Sequence, residues 1–227
     1  MLLSLGSAQF GLDYGITNKE GKVKEENIKK IIEIASKNNI SMIDTANSYG
    51  SAEEVLGRLL PKDRYFKIST KLNSQISESF SKNDIKKWEK SLLKSLKIIG
   101  KNSFDSFLIH NPYDLKKIGS EYLIDWLIGI KERGLVKRLG VSIYEAKDLL
   151  DVPNEILNLV QLPLSIYDQR LINDGTIKNL KKQGIAIHAR SIFLQGLVLL
   201  SADKWPNWIK KSSIIKQKLL EEIAKKR

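Results

Sequence analysis

At 227 residues the chain is long enough for one well-cored domain and short for two. Apolar residues make up 42% and charged ones 28%, a globular balance, and the lack of cysteine removes disulfides, thiolate nucleophiles and cysteine-based zinc sites. The net charge of +12 is spread over scattered lysine pairs such as Lys29-Lys30, Lys86-Lys87 and Lys181-Lys182, without a stacking-aromatic cluster, so no nucleic-acid partner is expected.

The N-terminus, Met1-Leu2-Leu3-Ser4-Leu5-Gly6, lacks the basic region and long apolar core of a signal peptide. No apolar run approaches the ~20 residues needed to span a bilayer, so no membrane is expected and a cytoplasmic location follows. Leu2–Ala8 reads as a first, buried strand, and Gln9–Gly15 as a glycine-punctuated loop. The glycines and lysine of Gly15–Val23 superficially resemble a phosphate-binding loop. One residue too many separates the glycines, and valine stands where a metal-binding hydroxyl belongs.

Ile28, Ile31, Ile32 and Ala35 recur at helical spacing and predict a helix over Lys24–Asn38. Ile40–Asp44 is the second strand. The S-x-x-E spacing of Ser51-Ala52-Glu53-Glu54 predicts a capping box opening a helix from Ala52 to Leu60, which Pro61 stops. Tyr65–Thr70 is the third strand, ending on Lys71. A longer helix carries Ile85, Trp88, Leu92, Leu96 and Ile99 on one face and closes near Gly100. Phe104–Ile109 is the fourth strand, followed by His110-Asn111-Pro112, and then a helix through Tyr122, Trp126 and Ile130 that Gly134 caps. Arg138–Ser142 and Leu157–Leu162 are strands five and six, joined by a helical piece around Glu145–Leu150. A helix over Thr176–Gln183 leads to strand seven, Ile185–Arg190. Beyond Leu200, Ile209–Arg227 reads as a basic amphipathic helix with Ile214, Ile215, Leu219 and Ile223 inward.

Repeated strand–helix units with apolar strands predict one α/β domain over residues 1–227, built on a parallel sheet covered by helices. The Gly-x-Gly-x-x-Gly fingerprint of a dinucleotide-binding open sheet is absent, which favours a (β/α)8-type TIM barrel. Only seven units are found, however, and such barrels typically run to ~250 residues. The expectation is an incomplete barrel lacking the usual last strand and helix. Strands one and seven would be left as edges through which copies could self-associate.

Polar residues stand at the C-terminal ends of successive strands: Asp44 with Tyr49 in its loop, Lys71, and His110. In a parallel barrel those ends share one face, where ligands bind. Taken singly, Asp44 could cap a helix, Tyr49 anchor a loop, Lys71 face water and His110 be an ordinary loop histidine. Their joint placement is what points to chemistry. Two histidines, His110 and His188, are too few for a His-rich metal site, and no metal is expected.

The segments Leu5-Gly6-Ser7-Ala8-Gln9-Phe10-Gly11, Ile43-Asp44-Thr45-Ala46-Asn47-Ser48-Tyr49-Gly50 and Ser69-Thr70-Lys71 resemble the aldo-keto reductase family. So do Phe107-Leu108-Ile109-His110-Asn111-Pro112, Leu139-Gly140-Val141-Ser142 and Val160-Gln161-Leu162-Pro163, in the family's order. The resemblance implies a (β/α)8 barrel reducing an aldehyde or ketone, a small carbonyl substrate, with NADPH, or alternatively NADH. It assigns Asp44, Tyr49, Lys71 and His110 to the catalytic tetrad. It further implies cofactor contacts from Gly6, Asp44, Ser142, Gln161, Arg190 and Ser191. Ser142 and Gln161 would meet the nicotinamide carboxamide, although Gln161 equally reads as capping strand six. Phe10, Tyr14 and Phe193, with Trp205, are candidate substrate-pocket walls, and packing is the other reading of each. Ile143 departs from the asparagine common in the family, and Arg190 from an aromatic. Shortening of the barrel leaves a second class of reading, a non-catalytic barrel serving as a cofactor-binding or regulatory subunit.

These residue types suit the reaction. Hydride addition to a carbonyl leaves an oxyanion, so a proton donor must stand beside that oxygen. A tyrosine, with a reference pKa near ~10, is a weak acid. A charged Lys71 nearby is expected to pull it down, and Asp44 to keep that ammonium charged.

Overall fold

Each of the seven apolar segments becomes a strand, and the strands pair in parallel in the order in which the chain makes them. They are β1 (Ser4–Gly6), β2 (Met42–Asp44), β3 (Lys67–Leu72), β4 (Phe104–Ile109), β5 (Val136–Ser142), β6 (Leu159–Pro163) and β7 (Ala186–Arg190). This computed structural model describes residues 3–61, 66–209 and 211–225. The expected starts of strands one and three at Leu2 and Tyr65, and the expected end of the last helix at Arg227, fall outside those residues.

The helices cross over between strands. The single turn α1 (Ala8–Gly11) and α2 (Glu25–Lys37) follow β1, α3 (Ala52–Leu59) follows β2, and α4 (Lys82–Ile99) follows β3. Next come α5 (Ser120–Glu132) after β4, α6 (Arg170–Asn173) and α7 (Thr176–Lys182) after β6, and α8 (Lys211–Lys225) after β7. Two 3-10 turns, Ala146–Leu149 and Asn154–Ile156, join β5 to β6. The result is an α/β fold in which seven parallel strands curl into an open half-barrel. Among the described residues, β1 and β7 each have a single strand neighbour.

Alternation along the strands separates two faces. Ile43, Ile68, Phe107, Val141 and Val160 are buried in the core with Trp88, Leu92 and Leu96 of α4 and Leu123 and Leu127 of α5. The other face carries polar groups in register: Gly6 opposite Asp44, Asp44 opposite Ser69, Ser142 opposite Gln161, and Gln161 opposite His188. The apolar period of α4 is reinforced at both ends. Ser81 and Asp84 form a reciprocal capping box, and Gly100 takes the left-handed conformation (φ +72°) that closes the helix.

Two local expectations are corrected. Ser51 and Glu54 form no capping box: α3 has no side-chain cap, and the Ser51 hydroxyl accepts from Lys22 at 3.1 Å. The lysine reaches it from the β1–α2 connection, a tertiary competitor that spacing cannot reveal. In α8, Ile215, Leu219 and Ile223 face outward, about half exposed, while Gln217 is the buried residue. Its side chain accepts from the Tyr167 hydroxyl at 2.8 Å and donates to the carbonyls of Val198 and Leu200. Three polar partners, two carbonyls from the segment after β7 and a hydroxyl from the β6–α6 connection, outweigh an isoleucine stripe, because each would cost more to bury unpaired than a methyl-rich side chain loses by staying wet.

The two sheet edges are tied at one end by loops. Ile16 N donates to the Gln195 side chain at 3.0 Å and the Thr17 hydroxyl to the Gln195 carbonyl at 2.9 Å. This contact draws the chain after β7 through positive φ at Ser191, Leu194, Gln195 and Gly196, a costly run for non-glycine residues. Among the described residues, no helix is long and apolar enough to cross a membrane.

Candidate active site

Asp44 is the last residue of β2, Lys71 the next to last of β3, and His110 directly follows β4, so the sheet register brings all three to one end. Tyr49 lies in the β2–α3 loop, whose turn is closed by Tyr49 N to Ala46 O (2.9 Å) and Ala52 N to Tyr49 O (3.1 Å). Backbone from α1 presses on this loop so closely that a Cβ on Gly11 would stand 1.9 Å from the Tyr49 carbonyl oxygen. Gly50, at φ +56°, meets the Gly11 carbonyl from the other side. Glycine at both positions is what lets the tyrosine loop seat against the sheet.

At the centre is a buried ion pair. The Lys71 side chain, 1% exposed, donates to both Asp44 carboxylate oxygens at 2.9 and 2.8 Å and to the Thr45 carbonyl at 2.9 Å. Those three contacts use the three donors of the ammonium. Gln161 Nε2 adds a 2.7 Å bond to Asp44 Oδ1. Lys71 meets Tyr49 through the ring, with Nζ 5.1 Å from its centroid, and the rings of Tyr49 and His110 stand edge to face at 6.3 Å. The structure thus brings Asp44, Tyr49, Lys71 and His110 together.

The electrostatics differ from the expectation of an acidified phenol. Burial, and then the Asp44 carboxylate, push the Tyr49 hydroxyl well above its ordinary value, with Arg190 pulling the other way. Burial outweighs any acidifying neighbour here, and the Lys71 donors are taken by Asp44 and the Thr45 carbonyl rather than by the phenol oxygen. Lys71 itself is lowered by burial, against the opposing attraction of Asp44. His110 is brought down to about 4, by burial first and Lys71 second. It is therefore neutral across the physiological range, and one ring nitrogen carries a proton that it can donate.

His188 is lowered in the same direction by burial and Arg138. The sign for stability follows. Above the unfolded value near 6.5 neither state binds these protons. Below it the unfolded chain binds protons that the folded one lacks, so stability falls as pH drops toward 4. An NMR titration is expected to show the His110 ring titrating near 4, with the urea midpoint lower at pH 4.5 than at pH 7. A His110 midpoint at its ordinary value would show the ring to be solvated.

The remaining candidates divide. Ser142 and Gln161 are neighbours in register, each 3% exposed, and the buried Gln161 Oε1 has no hydrogen-bond partner. Arg190 lies over the Tyr144 ring, 4.1 Å from its centroid, donates to the Ile143 carbonyl, and reaches the Ser191 hydroxyl at 3.4 Å. Gly6 is exposed at the end of β1 beside Asp44. Phe10 is 4% exposed and belongs to the hydrophobic core, as the buried residue of the α1 turn. Tyr14 and Phe193 are exposed, and the field of Tyr14 reaches the Tyr49 hydroxyl. A cleft of about 400 Å3 opens beyond β7, lined by Ile16, Tyr167, Leu194, Gln195 and Trp205 among others. None of the four central residues lines it.

Sequence reasoning missed Glu53. It is 3% exposed and accepts from the Thr70 hydroxyl (3.1 Å), the Ser95 hydroxyl (2.7 Å) and the Asn47 amide (3.2 Å). The available signal was an acid on the same helical stripe as Ala52, Val55 and Leu56, which are the other buried residues of α3.

The model of the Aldo/keto reductase family matches residues 2–225. No curated protein matches the chain. Among solved structures, a Pseudomonas aeruginosa protein assigned to the aldo-keto reductases superposes with a TM-score of 0.68 at 22% identity, covering 88% of this chain and 74% of that one. The glycerol dehydrogenase of Gluconobacter oxydans gives 0.66 at 21%, covering 91% and 63%. A Bombyx mori aldo-keto reductase in complex with NADP gives 0.61 at 20%, covering 87% and 64%. The chain thus spans less than two thirds of the latter two, and at these identities the likeness speaks for the fold alone.

Proposed function

This chain belongs to the aldo/keto reductase family, and from that premise we propose that it is an NADPH-dependent oxidoreductase reducing a small aldehyde or ketone to an alcohol, with NADH as the alternative cofactor. The observation that carries the reading is the buried Lys71–Asp44 pair with the Tyr49 and His110 rings gathered against it. A buried, fully paired ammonium beside a phenol and a neutral imidazole is a costly arrangement to keep for structure alone.

The nicotinamide, when bound, supplies the hydride. Gln161 suits its carboxamide: Nε2 is committed to Asp44, and the orphaned, buried Oε1 is an acceptor waiting for an amide donor, with the Ser142 hydroxyl one strand over. Arg190 and Ser191 are polar groups for the rest of the cofactor, and Gly6 leaves its approach open. Neutral His110 donates to the carbonyl oxygen and orients it. Tyr49 then gives its proton to the oxygen as charge develops. A phenol whose pKa burial has raised still transfers to an alkoxide, which is the stronger base, and it remains protonated throughout the neutral range. Lys71 compensates the resulting phenolate, and Asp44 keeps Lys71 charged until then.

The test is NADPH fluorescence titration with the full chain, followed by NADPH consumption with short aldehydes. Gln161→Leu is expected to weaken NADPH binding by roughly tenfold, the loss of one well-made hydrogen bond. Absence of binding at about 1 mM cofactor would overturn the reductase reading and favour a regulatory barrel that binds no cofactor.

A further inference from the structure

We infer that Glu53 is a positioning residue for the proton-donating group: it fixes the distance between the tyrosine loop and the lysine strand, without touching substrate or cofactor. The inference rests on the reductase reading and adds to it a residue that acts from the opposite side of the sheet.

The observations are topological as well as chemical. Glu53 Oε1 takes the hydroxyl of Thr70, the residue immediately before Lys71 on β3. Because successive side chains alternate, a bond that holds Thr70 on the helix side fixes where Lys71 emerges on the other. Glu53 Oε2 takes Asn47, two residues before Tyr49, and Ser95 of α4. Asn47 passes the connection on, its Oδ1 accepting from Asn73 at 3.0 Å, just beyond the end of β3. One buried carboxylate therefore clamps the tyrosine loop, the lysine strand and the covering helix α4. A glutamate placed there only to fill space would be worse than leucine, since a buried acid must be satisfied by several donors. What glutamate supplies and leucine does not is directional attachment to two separate active-site elements.

The decisive comparison uses Glu53→Gln, Thr70→Val and Thr70→Ser in the full chain, alone and with Tyr49→Phe. Glu53→Gln and Thr70→Val are expected to lower kcat by roughly 10- to 100-fold, the cost of a sub-ångström misplacement, with the NADPH dissociation constant held within about twofold. Thr70→Ser keeps the hydroxyl and should restore wild-type kcat. In the Tyr49→Phe background Glu53→Gln should have no further effect on kcat, as acting through Tyr49 requires. A wild-type kcat in folded Glu53→Gln, or an undiminished loss in the Tyr49→Phe background, overturns the inference. If Tyr49→Phe is itself fully active, the assignment of Tyr49 as proton donor fails instead, while the reductase reading stands. Should Glu53→Gln not fold, Thr70→Val carries the same comparison. Hydrogen exchange at amides 45–50 must also quicken in the variant, and unchanged exchange there overturns the inference whether or not turnover is measurable.

Discussion

Tyr49→Phe is expected to lower kcat by about 10²- to 10⁴-fold while NADPH binding stays within about twofold of wild type. Removing one hydroxyl leaves the ring in its edge-to-face contact with His110 and over the Lys71 ammonium, so the fold and the cofactor contacts should survive. What disappears is the proton delivered to the carbonyl oxygen. The raised pKa of Tyr49 adds a pH signature: kcat in the reductive direction should not fall off on the alkaline side until well above neutrality, because the donor stays protonated. Steady-state kinetics with a single aldehyde measure both. An active phenylalanine variant would move proton delivery to His110 or water.

The second large effect concerns stability. Asp44→Ala strands the Lys71 ammonium, 1% exposed, with only the Thr45 carbonyl as partner. Breaking one side of a buried pair costs about 3–5 kcal/mol, here toward the lower figure because the Asp44 side chain is 21% exposed. For a chain of this size that is a fall of about 6–12 °C in Tm. Lys71→Met added to Asp44→Ala should recover much of it, since the unpaired charge is then gone. The sign with pH is fixed. An unpaired Lys71 has a folded pKa below its unfolded one, so the unfolded state holds the extra proton. The penalty is therefore full below the folded value and shrinks as pH rises from there toward the unfolded value. Differential scanning calorimetry of the two variants at pH 7 and pH 9.5 decides it. A loss below about 0.5 kcal/mol, ordinary for a surface site, would mean that water already solvates the ammonium.

Much of the fold was legible because it is written locally. Strand identity follows from short apolar runs, and the helix faces of α4 and α5 from their period. Helix ends follow from residues such as Gly100, whose left-handed conformation only glycine adopts freely. The count of seven strands among the described residues was legible too, since counting strands needs no tertiary information. The face of α8 was not, because a buried glutamine recruited by two carbonyls and a phenol overrode the hydrophobic period. Phe10 was open in the sequence for a different reason: an aromatic in a loop near a site can face a pocket or the core, and its place in the core cluster depends on the turn of α1.

The sequence by itself determined that Asp44, Lys71 and His110 would share the C-terminal end of a parallel sheet, with Tyr49 in a loop at that end. Strand ends and their order are properties of the chain. Only the tertiary structure decided how the donors are spent: Lys71 on Asp44 and Thr45 rather than on the phenol, Gln161 reaching Asp44 from 117 residues away, and Glu53 tying Asn47 to Thr70 behind the sheet. Hydrogen-bond partners and burial depend on which segments are brought within 3 Å of one another. That distance is set by register and packing among residues far apart in the chain, which no local pattern encodes.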